Sequence, residues 1–402
     1  MKEKFDLEID EHDDIKLNEL LNLIIEDACS DRASDIHLNP AKQAFKIRYR
    51  VDGALRDIST LPDMLYSPLV KKIKERASLN SDMMSKPQDG KINHEFGNRC
   101  LDIRISTIPT FYGENIVMRI LDKATITLDL EKLGFSEENL KKYKDLLSCP
   151  SGLIIINGPT GCGKTTTAYA GLNEMANPGI NILTIEDPVE YLIDNVIHTQ
   201  VNEKEGLTFS GALRSFLRQD PDVIYCGEIR DDVSAKILLE TALTGHVVIS
   251  VLHAPDSAEA LARLIDMGLE PFLLASALKG IISQRLIRQI CPDCREEIPV
   301  PEGLVNMLKE EKLYRENMVL YKGKGCETCR NTGYKKRTAL HEVIVMDEEL
   351  KNEISMKPSY ADLIKFFRSR GETSIKHGGL KKAIKGITPI DEVLRVCSDI
   401  KW

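Results

Sequence analysis

The sequence lacks three features, and each absence removes a class of protein. There is no excess of positive charge: 54 Lys and Arg stand against 62 Asp and Glu, for a net charge of -8. A protein that coats nucleic acid needs a basic face to release counterions from phosphates, so no nucleic-acid partner is expected, although a local basic patch is compatible with the balance. There is no long apolar run. "GLIII" at 152–156 and "VVISVL" at 247–252 fall far short of the roughly 18 residues that suggest a spanning helix. The first residues, "MKEKFDLEIDEHDD", are acidic and have no apolar centre, so they read as neither a signal peptide nor an anchor. Any membrane role is therefore expected to be peripheral. What is there is ordinary for a globular protein: 42% hydrophobic and 29% charged residues over 402 positions, enough for two or three domains with their own cores.

Ten cysteines need a reason, and four of them form two close pairs, Cys291 with Cys294 and Cys326 with Cys329. Without an export signal, two CxxC turns separated by a loop read as a zinc site, the alternative being a redox pair. Each turn presents two thiolates to one side, and two turns complete a tetrahedral shell. The single cysteines at 29, 100, 149, 162, 226 and 397 read as small core residues.

Periodicity divides the chain. Apolar residues at helical spacing predict a helix over 15–29, and alternation predicts a hairpin in "AFKIRYRVDGALRDI" with its turn at Asp52-Gly53. A helix over 68–79 and strands in "CLDIRISTIPT" and "NIVMRIL" complete an α+β domain over 1–122. A linker over 123–136 leads into a second domain, 137–402, in which buried strands and helices alternate: 153–157, "INILTIED", "DVIYCGE" and "HVVISVLHA" are the strands. That order predicts an α/β fold with a largely parallel sheet covered on both faces. Residues 271–289 read as helix, followed by the cysteine module at 290–331 and a polar helical remainder.

Between the first of those strands and a helix lies "GPTGCGKTT", Gly158, Pro159, Thr160, Gly161, Cys162, Gly163, Lys164, Thr165 and Thr166. It fits G-x-x-x-x-G-K-T, in which glycines let backbone N–H groups turn in on phosphates and the helix N-terminus adds its dipole. Lys164 is expected to neutralise the β and γ oxygens of ATP, and the Thr165 hydroxyl to ligate Mg2+. An enzyme also needs a group that orients water. The strand 223–226 ends in Gly227-Glu228, with glycine where many P-loop proteins carry a magnesium-holding aspartate, so Glu186 and Asp187 of "TIEDPVEY" are further candidates. The alternative makes those acids turn caps. His246 and His253 flank one strand, and either serve structure or touch the γ-phosphate.

These motifs resemble the secretion ATPases of type II secretion and type IV pilus assembly. The likeness rests on "GPTGCGKTTT", "TIEDPVEY", "LRQDPDVIYCGEIRD" and "ALTGHVVISVLHAPDS" in that order. To these are added "ASDIHLNP", "RYRVDGAL", "PQDGKI" and "STIPTFYGE" before them and the tetracysteine with "TGYKKRTALHEV" after them. The resemblance covers about 15–395. It implies a RecA-like P-loop ATPase domain, a smaller PAS-like α+β domain and an inserted zinc module. It further implies that Glu228 is the catalytic glutamate, that Glu186 helps place magnesium and water, and that His246 and His253 form a histidine box. Arg104 and Arg119 would reach the nucleotide, and Arg214 and Arg218 would line a subunit interface. A homo-hexamer is implied, acting on a platform protein at the cytoplasmic face of the inner membrane and driving pilus assembly or secretion. A pilus-retraction motor or a DNA translocase is the alternative.

Departures from the family pattern fall at Cys162, where serine is usual, at Thr165, at Lys91 and in "SVLHAPDS". They touch detail near the histidine box and leave the fold unaffected. Larger assembly ATPases carry an extra amino-terminal docking domain, which this chain is expected to lack. The tetracysteine is characteristic of assembly and secretion motors. Between Asp293 and Arg337 ten basic residues face eight acidic ones, which disfavours a nucleic-acid-binding ribbon.

Overall fold

The computed structural model describes Phe5 and residues 13–97, 99–122 and 128–400, and the chain divides into two units, 1–126 and 127–402. The expected linker falls partly on residues 123–127, outside the described residues. Among the described residues no helix is long and apolar enough to cross a membrane.

The first unit begins with α1 (Asp14–Ser30), whose N-cap Asp13 accepts from the amides of Ile15 and Lys16. Its buried stripe, Leu17, Leu20, Leu21, Ile24, Ile25 and Ala28, repeats at helical spacing. Strands β1 (Ala33–Pro40), β2 (Ala44–Val51) and β3 (Ala54–Pro62) follow, then α2 (Tyr66–Arg76), β4 (Gln88–Phe96), β5 (Arg99–Thr110) and β6 (Gly113–Asp122). They pair antiparallel in the order β3-β2-β1-β6-β5-β4. The turn between β2 and β3 puts Asp52 and Gly53 at φ 50° and 82°, the left-handed pair a two-residue hairpin requires. Alternate residues Phe45, Ile47 and Tyr49 are buried with the helices. Arg104 and Arg119 stand directly opposite each other in the β5–β6 register, hence on one face. Arg119 is mostly exposed and pairs with Asp35 at 3.0 Å.

In the second unit, α3 (Glu137–Leu147), β7 (Gly152–Asn157), α4 (Lys164–Met175), β8 (Ile182–Glu186), β9 (Val196–Gln200), α5 (Phe209–Phe216) and β10 (Val223–Cys226) come first. Then follow α6 (Asp232–Leu243), β11 (Val247–Leu252), α7 (Ser257–Asp266), α8 (Pro271–Ala277) and β12 (Leu278–Ile290). The sheet order is β15-β12-β7-β11-β10-β8-β9, parallel except where β15 (Tyr334–Val345) joins β12. Between those two strands the chain makes the cysteine module: β13 (Arg295–Pro299), α9 (Glu302–Glu310) and β14 (Val319–Gly323). Helices α10 (Glu348–Ser355), α11 (Tyr360–Ser369), α12 (Ile375–Ile384) and α13 (Ile390–Val396) close the unit.

The structure corrects two sequence expectations. Residues 271–289 are not one helix: seven residues form α8 and the rest form β12. The stretch Ile281–Arg285 is buried without a break, because β12 lies between β7 and β15, and burial on both faces erases the alternation that marks a strand. The single cysteines are not all core residues either. Cys29, Cys162, Cys226 and Cys397 are buried, but Cys100 is exposed and Cys149 half-buried.

One ion cluster fastens the last helix to this sheet. The side chain of Glu392 is fully buried and accepts from Arg288 Nε and Nη2 at 3.0 and 2.6 Å and from Arg395 Nε and Nη2 at 2.9 and 2.8 Å. Burial raises its pKa, but the two guanidiniums outweigh that and hold it down to about 2, against an ordinary 4.5. A depressed carboxyl stabilises the fold above its unfolded pKa. The contribution, about 3 kcal/mol, is complete above pH 4.5 and is lost as the pH falls towards 2. Glu392→Gln is expected to remove about that much at neutral pH, measured by denaturant unfolding. A variant within 0.5 kcal/mol of wild type, a size typical of exposed pairs, would contradict the assignment.

Candidate functional site

The parallel strands bring their carboxyl ends to one edge of the sheet, where an open α/β fold binds ligands. Every residue of β7 is buried, and after Asn157 the chain turns through Gly158 to Gly163 into α4. Gly163 is the N-cap at φ 90°, and Gly158, at φ 149°, has no space for a side chain. A Cβ there would lie 2.4 Å from the Gln284 carbonyl oxygen and 2.7 Å from Cys162 Sγ. The Cys162 thiol is buried beneath the loop, and Gln284 Nε2 donates to the Cys162 carbonyl at 2.8 Å. Cysteine in place of serine thus packs inward and leaves the loop's outer surface to its backbone. Amides of such a loop, together with the N-terminus of the helix that follows it, can donate to an anion.

Lys164 is buried and donates to the carbonyls of Gly158 and Pro159 at 2.8 and 2.9 Å. Burial lowers its pKa, and Glu228 works against that. Thr165 and Thr166 follow it, half-buried in the first turn of α4. His253, just past β11, stands 3.5 Å from Lys164 Nζ through Nδ1 and 3.3 Å from Glu228 Oε2 through Nε2. Burial and then Lys164 keep this histidine below its usual pKa. Glu228 Oε1 accepts from Arg230 Nε, and Arg230 Nη2 reaches Asp187 Oδ2 at 3.0 Å. One chain of contacts therefore runs Lys164, His253, Glu228, Arg230, Asp187.

Gly227, where an aspartate is common, lies against β8. A Cβ would meet Glu186 Cα and the Ile185 carbonyl oxygen at 3.3 Å, closer than side chains usually pack.

Other expected residues stand apart from that chain. Glu186 is buried, and its carboxylate accepts from Tyr169 Oη of α4, from Thr184 Oγ1 at 2.6 Å and from His198 Nδ1 at 2.8 Å. The Ile193 amide donates to His198 Nε2 at 3.1 Å, which puts the imidazole proton on Nδ1, facing the carboxylate. Glu186 thus ties α4 to β8 and β9 from within. His246 precedes β11, with Nδ1 at 3.1 Å from the Thr241 carbonyl and 3.3 Å from Thr244 Oγ1. The two histidines do not converge, because a strand of this length places its ends roughly 20 Å apart. Arg218 donates to the Arg214 carbonyl at 2.9 Å on the exposed side of α5. Arg104 and Arg119 belong to the other unit. Sequence reasoning missed Gln284, hidden in the strand taken for helix, and Arg230, although its place in "GEIRD" beside Glu228 was a usable signal.

A second site lies in the cysteine module. The sulfurs of Cys291, Cys294, Cys326 and Cys329 all lie within 4.8 Å of one another, with close pairs at 3.7, 3.8 and 3.9 Å. A tetrahedron of thiolates at ~2.3 Å from a metal has edges of ~3.8 Å. Amides of Gly325, Cys326 and Gly333 donate to the sulfurs at 3.2 Å. Burial raises the Cys329 thiol, but the amides of Cys326 and Gly333 and the neighbouring thiols bring it down to about 6. The donor set fits a thiophilic metal.

Parallel strands, a glycine loop ending in lysine and threonine, and a glutamate just past β10, two strands along the sheet from β7, define a P-loop nucleotide-binding fold. More narrowly, the family described as type II/IV secretion system protein matches residues 10–395, and the chain belongs to it. It is 44% identical over 386 residues to the type IV pilus assembly ATPase PilB of Thermus thermophilus, covering 96% of this chain but 43% of that protein. To the type II secretion system ATPase E of Vibrio cholerae it is 41% identical over 391 residues, covering 97% and 77% respectively. This chain thus spans under half the length of the first relative and about three quarters of the second. The X-ray structure of the Legionella pneumophila ATPase DotB is similar in fold, with a TM-score of 0.71 at 20% identity over 95% of this chain and 96% of that one.

Proposed function

We propose that this chain is an ATP-hydrolysing motor that drives type IV pilus assembly or type II secretion. The observation that carries the reading is the convergence of Lys164, His253 and Glu228 at the glycine loop, in a member of a secretion-system family. The loop amides from Gly158 to Thr166 hold the phosphates, and Lys164 leaves its carbonyl partners to neutralise the β and γ oxygens. Magnesium, held by Thr165, would supply further charge neutralisation there. Glu228 accepts a proton from water as the water oxygen bonds to the γ-phosphorus and the bond to the β-γ bridging oxygen breaks, giving ADP and phosphate.

His253 faces the same phosphate, while Glu186 acts from below by fixing α4. The pair Arg214 and Arg218 belongs to contacts between subunits of a homo-hexamer. Arg104 and Arg119 of an amino-terminal unit reach the bound anion and convert its loss into domain movement. That movement is spent on a platform protein at the cytoplasmic face of the inner membrane. The four thiolates hold zinc, which stiffens a module with little core of its own.

Steady-state phosphate release by the purified chain tests the reading. Turnover is expected to need magnesium and to rise more steeply than linearly with protein concentration as subunits assemble. Arg119→Ala is expected to lower kcat/KM by about tenfold or more. Turnover that appears only when single-stranded DNA is added would favour a translocase, and a chain inactive at every concentration would end the proposal.

A further inference from the structure

Glu228 has two oxygens, and different groups engage them. Oε2 faces His253 at 3.3 Å, on the side of Lys164 and the loop. Oε1 is held by Arg230 Nε, in the turn between β10 and α6. The same guanidinium reaches Asp187 Oδ2 at 3.0 Å through Nη2, and its carbon lies 5.2 Å from the centroid of the Phe209 ring. Arg230 is thus fixed from three directions, by a carboxylate on either side and an aromatic face.

The geometry points to Arg230 as a positioning residue that sets the plane of the Glu228 carboxylate, with Asp187 as its anchor. This rests on reading Glu228 as the group that activates water. A carboxylate held at one oxygen cannot rotate freely about its last bond. Clamping Oε1 keeps Oε2 turned towards the glycine loop, where the attacking water would be deprotonated. Arginine suits the task because its planar fork presents Nε and Nη2 in fixed, diverging directions, whereas a lysine ammonium is a single point charge. The acidic box then divides its labour. Glu186 is enclosed by Tyr169, Thr184 and His198, and Asp187 acts through Arg230. Arg230, Asp187 and Glu228 are partly exposed, and exposed ion pairs add little to stability. The clamp is therefore to be sought in rates more than in melting.

The test is steady-state ATP turnover of the full chain. Arg230→Gln is expected to lower kcat about 10- to 100-fold, the scale of losing alignment of one reacting group, with KM for Mg-ATP within about threefold. Arg230→Lys is expected to recover part of the loss. Asp187→Asn lowers kcat in the same direction, and the double variant is no slower than Arg230→Gln alone, because both changes break one unit. If Arg230→Gln fails to fold, the Arg230→Lys and Asp187→Asn variants carry the comparison.

A kcat within twofold of wild type, a defect confined to KM, or losses that multiply in the double variant would each overturn the assignment. Glu228→Gln run alongside separates the two levels. If it stops turnover while the Arg230 variants do not, only the clamp fails. If it leaves turnover intact, the clamp and the reading of Glu228 fall together.

Discussion

Glu228→Gln is expected to lower ATP turnover by about 10³-fold while nucleotide affinity stays within about threefold. The substitution keeps shape and one carbonyl oxygen, so Arg230 retains an acceptor where Oε1 now stands. It removes the negative charge and the ability to take a proton. Binding, by contrast, depends on the loop amides and Lys164, which Glu228 does not touch directly among the described hydrogen bonds. The loss should fall on kcat, because the lost interaction develops only as water is deprotonated. Phosphate release together with equilibrium binding of a fluorescent ATP analogue measures both quantities. A variant turning over within threefold of wild type would place the general base elsewhere and reduce Glu228 to a partner of Arg230 and His253.

Loss of the metal proposed for the four thiolates is expected to have the largest effect on structure. The cysteine module joins a short antiparallel pair, β13 and β14, to α9, and it buries few large side chains, chiefly Leu308 and Leu320. So small a core cannot offset the chain entropy of ordering the segment, whereas structural zinc binding in small domains is worth about 10–16 kcal/mol. Elemental analysis is expected to find one zinc per chain. Cys326→Ser or a strong chelator should abolish it and expose the stretch between Cys294 and Cys326 to proteolysis. The two glycines also approach closely here: a Cβ on Gly323 would lie 2.0 Å from the Gly333 carbonyl oxygen. Leu308 and Leu320 pack into the cluster on one face of the seven-stranded sheet, whereas Ile154, Ile156 and Ala168 of β7 and α4 belong to the cluster on its other face, so nucleotide binding should survive. Unchanged metal content in Cys326→Ser, or a protease-resistant module without metal, would refute the assignment.

Local patterns explain how far the sequence could be read. The hairpin at Asp52-Gly53, the stripe along α1, the glycine loop and the two CxxC turns each carry their geometry within a few consecutive residues, and the structure has all four. The strand β12 was misread because its signal is not local. Its residues are buried on both faces by β7 and β15, so apolar spacing no longer distinguishes strand from helix. Edge strand β9 is short and half-exposed and leaves almost no pattern. The acids and histidines were identified as a set, but their division was not visible: β11 separates His246 from His253, and β8 turns Glu186 inward and leaves Asp187 outward.

By itself the sequence determined the chemistry available to this protein: a phosphate-binding loop, a glutamate at the end of another buried strand, four thiolates in two turns, and a chain with neither the charge of a nucleic-acid coat nor the apolar length of a membrane span. Which of those groups meet was decided only in three dimensions. Arg230 gains its place from Glu228, Asp187 and Phe209, residues drawn from different elements, and Gln284 gains its place from a strand over a hundred residues beyond the loop it supports. Types and spacings are written along the chain. Distances between side chains follow from the order in which strands pair, and burial of each strand against its neighbours and helices, summed over the whole sheet, selects that order without leaving a mark on any single segment.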